Sequence, residues 1–215
     1  MTLPASDYAP YLTLALLTAA WCVLHSALIS VRLTDALKRR HPGRYRYYRL
    51  FYNAVAVITL APLLLYALAL RGEPLFAWQG PWRIVQVLMI GTGLLLFLLG
   101  TRKYDARRFL GLAQLREDTA AGGITASGGL DTSGILGVVR HPWYSGLLLV
   151  LWARPLDLST LVINTVFTLY LLIGVRLEEA KLVREFGDRY RHYQQTVSML
   201  VPVKWLLARM RGRAG

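Results

Sequence analysis

One cysteine, Cys22, stands in the whole chain, and that scarcity excludes an intrachain disulfide framework and any CxxC metal or redox motif. Acidic residues are also few: 12 Asp and Glu against 25 Lys and Arg, for a formal net charge of +13. No internal repeat is visible, and no shift in composition marks a second domain. No basic stretch precedes the first apolar run and no small-x-small site follows it, so that run reads as a retained anchor rather than a cleaved signal peptide.

What the chain has in quantity is apolar sequence, 55% of 215 residues. A helix needs about 20 predominantly apolar residues to cross the ~30 Å hydrocarbon core. Residues 8–29, 50–70, 84–99 and 158–175 approach or meet that length. Residues 146–153 form a shorter run ending at Arg154-Pro155, read as the first arm of a tight helical hairpin with 156–175 as the return arm. An arm beginning near Trp143 is barely long enough, so it must tilt, kink or lie in thinned bilayer. The expected fold is an all-α integral membrane protein with five transmembrane helices, including this C-terminal hairpin, and cytoplasmic C-terminal helices after it.

Charge sets the orientation. Lys and Arg concentrate between Arg32 and Arg49, between Arg102 and Arg140, and between Arg176 and Arg213, whereas only Arg71, Arg83 and Arg154 mark the opposite ends. The positive-inside rule places the three basic stretches in the cytoplasm, with the N-terminus outside and the C-terminus inside, in what is expected to be a bacterial inner membrane. Basic residues that flank membrane helices meet anionic lipid heads, so no nucleic-acid partner is expected.

The loops carry further signals. Thr34 is placed to cap a short helix that His41-Pro42-Gly43 ends. Residues 104–115 (YDARRFLGLAQL) have helical spacing, with Phe109, Leu110, Leu112 and Leu115 available to one face. Residues 119–137 are rich in Gly, Ser and Thr and are expected to be flexible or ordered only by ligand. Residues 178–193 read as a helix leaving the membrane with a break near Gly187. Residues 201–207 return apolar side chains to the surface as an interfacial amphipathic segment.

Two clusters of polar residues stand at the edges of these apolar runs: VVRHPWYSG at 138–146 and LEEAKLVREFGDRYRHY at 177–193. Ionisable groups at the border of a hydrocarbon layer are costly to keep, which makes them functional candidates. Pro142 favours a helix start after Arg140 and His141. Such a start offers unpaired N–H groups and a positive dipole end to a carboxylate or phosphate. Glu178 and Glu179 end the return arm of the same hairpin, so the two clusters are neighbours by topology. An electropositive helix start facing two carboxylates suits a zwitterion, and S-adenosylmethionine is one. Tyrosines such as Tyr144, Tyr190 and Tyr193 can flank its sulfonium by cation–π contact, or serve only as aromatic-belt and packing residues.

RHPWYSG at 140–146, the Glu178-Glu179 pair, L-x3-FG-x2-Y-x2-Y at 182–193 and Val201-Pro202 resemble the isoprenylcysteine carboxyl methyltransferase superfamily of membrane enzymes, which use S-adenosylmethionine and include phospholipid methyltransferases. His25-Ser26, FLGLAQL at 109–115 and LLLVLWARP at 147–155 are similar to methanethiol S-methyltransferases and NnrU-type membrane proteins. The resemblance implies a methyltransferase with S-adenosyl-L-methionine as cofactor, its site lined by Arg140, His141, Tyr144, Glu178 and Glu179; Pro142, Gly146, Tyr190 and Tyr193 are further expected cofactor-binding residues, and no metal is expected. The chain itself reads as one membrane domain over 1–215: a three-helix part at 1–100, a cofactor-binding catalytic part at 101–202 and a basic interfacial tail at 203–215.

The superfamily's usual Glu-Glu-Arg-Asp run is Glu178-Glu179-Ala180-Lys181 here, which leaves the acceptor open. A small thiol or a lipidic acceptor enters from the bilayer. A thiol reacts as its thiolate and must lose its proton, for which His25, Tyr104 and Asp105 are the candidates. A carboxylate acceptor needs orientation rather than a base, which Arg49, Arg107 or Arg108 offers. A third reading, by resemblance to haem-binding NnrU-type isomerases, makes His25 and His141 axial ligands.

Overall fold

The computed structural model describes residues 8–103, 106–115 and 129–211, apart from the side chains of Ala106 and Arg108. Tyr104, Asp105 and the loop centre at 119–128 therefore lie outside the described residues. The regular elements among the described residues are helical: α1 (Ala9–Leu28), α2 (Val31–Arg40), α3 (Pro42–Tyr45), α4 (Tyr48–Ala69), α5 (Trp82–Thr101), α6 (Ala106–Leu110), α7 (Pro142–Trp152), α8 (Leu158–Phe186), α9 (Asp188–Thr196) and α10 (Val203–Arg211), with 3₁₀ turns at Ala113–Leu115 and Gly134–Gly137. Two isolated backbone bridges, Phe76 with Leu156 and Val139 with Ser198, accompany them.

Four helices, α1, α4, α5 and α8, are long and apolar enough to cross a membrane. The hairpin's first arm is α7, apolar but only 11 residues long. The chain divides into two compact units, one holding α1–α4, α6 and α8 up to Tyr170, the other α5, α7, the rest of α8, α9 and α10.

In the first unit Leu14, Leu63, Ala67 and Ile163 form a small core, with Trp21, Leu60, Tyr66 and Phe167 packed on it. The Trp21 indole donates to the Ala56 carbonyl at 3.2 Å and to Thr59 Oγ1 at 3.1 Å, which ties α1 to α4 with no buried charge. At the start of α8, Asp157 Oδ1 accepts from the Thr160 N–H at 2.7 Å and from Ser159 Oγ at 2.8 Å, satisfying helix-end donors. The opposite faces are apolar and open, as at Val57 and Ile58, which are 68% and 69% exposed. Contiguous open apolar faces of this size suit lipid rather than water.

Two local expectations change. Ser30, not Thr34, caps α2: its Oγ accepts from the Leu33 N–H at 3.4 Å, and the Thr34 hydroxyl instead donates back to the Ser30 carbonyl at 3.0 Å. A residue already inside the first turn cannot serve as its cap. The helical spacing over 104–115 is also interrupted, because α6 ends at Leu110 and Gly111 adopts φ +90°. A side chain at Gly111 would be strained, and its Cβ would lie 2.8 Å from the Leu50 amide nitrogen.

In the second unit α5 and α7 pack through small residues. A Cβ on Gly146 would lie 2.7 Å from the Gly93 carbonyl oxygen, and one on Gly100 would run into the Trp143 indole. The Trp143 indole N–H donates to the Phe97 carbonyl at 3.2 Å, and Gln86 Nε2 to the Ala153 carbonyl at 2.9 Å. Close backbone approach with few interhelical hydrogen bonds is how helices associate where lipid removes the hydrophobic drive. The break near Gly187 is present: the residue has φ +58° and separates α8 from α9.

Candidate functional site

The site is built wholly within the second unit. Arg140 and His141 follow the isolated bridge of Val139 to Ser198 and run beside residues 198–199: the Arg140 N–H donates to the Ser198 carbonyl at 2.9 Å and the His141 N–H to the Met199 carbonyl at 3.1 Å. Pro142 then opens α7 at its first turn, where a missing N–H costs nothing. Ser145 closes the turn, with its hydroxyl 3.0 Å from the His141 carbonyl and 2.8 Å from that of Leu200.

Glu179 is the hub. Its Oε1 accepts from Arg140 Nε at 2.6 Å, lies 3.2 Å from His141 Nε2, and accepts from the Tyr190 hydroxyl at 3.3 Å. Its Oε2 accepts from Gln194 Nε2 at 3.0 Å. The Arg140 guanidinium also donates to the Gln194 carbonyl at 3.2 Å and to the Val197 carbonyl. Both charged side chains are buried, so the geometry meets the demand that a buried ion pair be fully hydrogen-bonded. Burial, reinforced by the Glu179 charge, raises the Tyr190 phenol above its ordinary range, which keeps it a donor to that carboxylate.

Glu178 differs. It is 38% exposed, and its Oε2 lies 3.9 Å from His141 Nδ1. The two nitrogens of His141 therefore face two carboxylates, one sequestered and one open. Tyr144 stands edge-on to the His141 ring, with centroids 5.6 Å apart. Tyr193 donates to the Leu136 carbonyl at 2.5 Å and packs against Tyr190, so it anchors the 3₁₀ turn before the Arg140 stretch. Gly146 faces α5, where it permits close packing.

Residues 129–137 are held by their own contacts rather than left open. Lys103 Nζ is 2.9 Å from Asp131 Oδ2 and 2.6 Å from Ser133 Oγ. The Ser133 N–H and the Lys103 ammonium hold the Asp131 carboxyl at about 2, below its ordinary 3.8.

Two of the expected acceptor-side residues, His25 and Arg107, belong to the first unit. His25 belongs to the first unit, stacked on Trp21 with centroids 5.3 Å apart and edge-on to Tyr52 and Tyr170. Its Nδ1 is buried with no hydrogen-bond partner among the described residues. Arg107 is exposed on α6 in the same unit.

Gln194 is the site residue that the sequence reading passed over. It sits one helical turn after Tyr190, so the i, i+4 spacing places it on the same face. That register was the available signal. Ser145 lies inside the RHPWYSG run, whereas Ser198, which holds Arg140 through its backbone carbonyl, left no signal.

The NnrU protein family matches residues 13–209. The chain belongs to the NnrU family. Its similar relatives include a methanethiol S-methyltransferase of Pseudomonas deceptionensis, 48% identical over 66 residues, which is 30% of this chain and 25% of that protein. Methanethiol S-methyltransferase 2 of Bradyrhizobium diazoefficiens is 34% identical over 138 residues, 61% of this chain and 52% of the relative. A methanethiol S-methyltransferase of Mycobacterium tuberculosis is 37% identical over 65 residues, 30% of this NnrU chain and 27% of the relative. The matches thus span between a quarter and about half of those relatives' lengths. No solved structure matches the chain.

Proposed function

We propose that this NnrU-family protein is an integral-membrane methyltransferase that moves a methyl group from S-adenosyl-L-methionine to a small thiol of the methanethiol kind. The observation that carries the proposal is the pair of acidic side chains flanking His141 at the start of α7, in a chain whose relatives bear the methanethiol S-methyltransferase name.

The residues present fit such a methyl donor. Glu178 offers an open carboxylate to an ammonium or a ribose diol, and the start of α7 offers positive potential to the donor's carboxylate. Tyr144, beside His141, supplies an aromatic face for a cation. Arg140, Glu179, Tyr190 and Gln194 are satisfied by one another, so they hold His141 and Glu178 in place rather than compete for the ligand. Tyr193 fixes the neighbouring turn.

S-adenosylmethionine supplies an electrophilic methyl group when bound, and in-line transfer asks the protein mainly for proximity and alignment. The acceptor must also lose its S–H proton. We assign that task to His25, whose buried Nδ1 has no hydrogen-bond partner among the described residues. Tyr104, Asp105 and Arg107 remain proposed acceptor-side residues from the sequence. In this reading α7 makes a fifth crossing, the N-terminus lies outside and the C-terminus is cytoplasmic. The thiol arrives through the bilayer, and 1–215 works as one membrane methyltransferase.

The test is twofold. Calorimetric titration of detergent-purified protein with S-adenosylhomocysteine should show binding. Headspace analysis with methanethiol and the methyl donor should show dimethyl sulfide. Donor binding without thioether, together with methyl esters on prenylcysteine or methylated phospholipid, would move the protein to another acceptor. A Soret band without donor binding would move it to haem, although both His141 nitrogens already face carboxylates.

A further inference from the structure

The last described helix carries a surface that the donor site does not use. Val203, Leu206, Leu207 and Met210 recur at i, i+3, i+4 and i+7 along α10, and each is exposed, Met210 by 68%. With 3.6 residues per turn, Lys204 and Arg211 border one edge of this stripe and Arg209 the other. Arg209 also stacks over the Trp205 ring, 4.6 Å from its centroid. An apolar strip edged on both sides by cations matches an acidic lipid surface, with apolar residues among the acyl chains and cations at the headgroups. In a chain with four helices of membrane-crossing length, such a surface is at hand.

The same helix is wired to the site. Lys204 Nζ donates to the carbonyls of Gln194 at 2.7 Å and Gln195 at 2.8 Å, and the Lys204 N–H donates to Ser198 Oγ at 3.0 Å. Arg140 uses the same two residues: its guanidinium reaches the Gln194 carbonyl at 3.2 Å and its N–H the Ser198 carbonyl at 2.9 Å. Gln194 also binds Glu179 through its side chain.

We propose that α10 docks on an anionic phospholipid surface, and that this seating holds the Arg140–Glu179 assembly in register through Gln194 and Ser198. Docking stands on α10 alone, whereas the effect on ligand affinity rests on the donor-site reading above. Lipid that binds only the seated arrangement tightens donor binding by its preference for that arrangement.

The test uses full-length protein in nanodiscs rich in phosphatidylglycerol or made of phosphatidylcholine alone. In a Cys22→Ala background, Met210→Cys carries an environment-sensitive fluorophore. Its emission should shift to the blue and be quenched by doxyl lipid in acidic discs, less so at high salt. S-adenosylhomocysteine should bind about five-fold more weakly in neutral discs, and Leu206→Glu should cause a similar loss in acidic ones. An unshifted fluorophore in acidic discs overturns docking. A shift that follows protein concentration in detergent, without lipid, assigns the stripe to a second copy and also overturns it. A shift with unchanged affinity overturns the coupling. If S-adenosylhomocysteine binds in neither disc, the donor reading fails, while the fluorophore still decides docking.

Discussion

Arg140 and Glu179, 39 residues apart in sequence, meet at 2.6 Å with 7% and 9% of their side chains exposed. Removing one partner of a buried pair leaves the other uncompensated, at a cost of about 3–5 kcal/mol. Arg140→Met and Glu179→Gln should therefore each lower the melting temperature in detergent. Because both are proposed to position the site, each should also weaken S-adenosylhomocysteine binding. The double variant should recover part of the lost stability but not the binding. Additive losses of stability in a double-mutant cycle would show that the two side chains are not coupled.

Glu178 lies next to Glu179 but points to a more open environment, 3.9 Å from His141. Glu178→Gln should leave the melting temperature nearly unchanged and weaken donor affinity about ten-fold, or about 1.4 kcal/mol. Calorimetry on both variants separates the two roles. Equal affinity in Glu178→Gln and wild type would remove Glu178 from the ligand.

Gly146 opposes the Gly93 carbonyl where α5 and α7 pack together. Gly146→Ala should destabilise by about 1–3 kcal/mol through forced separation of the two backbones. Gly91 lies on the same helix α5 with nothing within 4 Å of an added Cβ. Gly91→Ala should be neutral or slightly stabilising, since alanine is the better helix former. Thermal melts of the pair distinguish packing from general helix effects.

His25 is assigned the acceptor's proton. His25→Ala should cut thiol methylation by about 10²-fold or more, with donor affinity unchanged. Raising the pH should restore much of the rate by supplying thiolate directly. A variant equally impaired at all pH values would place His25 in packing with Trp21 instead.

Asp131 provides a pH test. Its folded value of about 2 lies below its ordinary 3.8, so its contribution is fully present above the ordinary value and is lost as pH falls through the folded one. Hydrogen exchange at residues 131–137 should rise as pH drops between those limits, after correction for intrinsic rates. Asp131→Asn should show the same rise already at neutral pH. Protection that stays constant through the acid range would mean that the Lys103 clasp does not order this turn.

How legible was this in the sequence? Run length and the flanking charges were enough to place the long helices to within a few residues at most ends, because a bilayer-sized apolar stretch has few other uses. Pro142 and Gly187 marked a helix start and a helix break through backbone restrictions that act locally. Thr34 misled, because Ser30 competes for the same cap and cap choice depends on where the chain enters the helix. The roles of Glu178 and Glu179 could not be told apart, since adjacent residues on a helix point about 100° apart and only packing decides which turns inward.

Composition and short-range chemistry thus determined that the chain is helical, that several helices match a bilayer, and that its polar groups gather at two helix ends. Tertiary structure alone decided that Glu179 is the buried hub, that Gln194 and Ser198 connect it to α10, and that Gly146 serves packing. These outcomes depend on contacts between residues distant in sequence, and burial and hydrogen-bond partnership are properties of such contacts rather than of any residue alone.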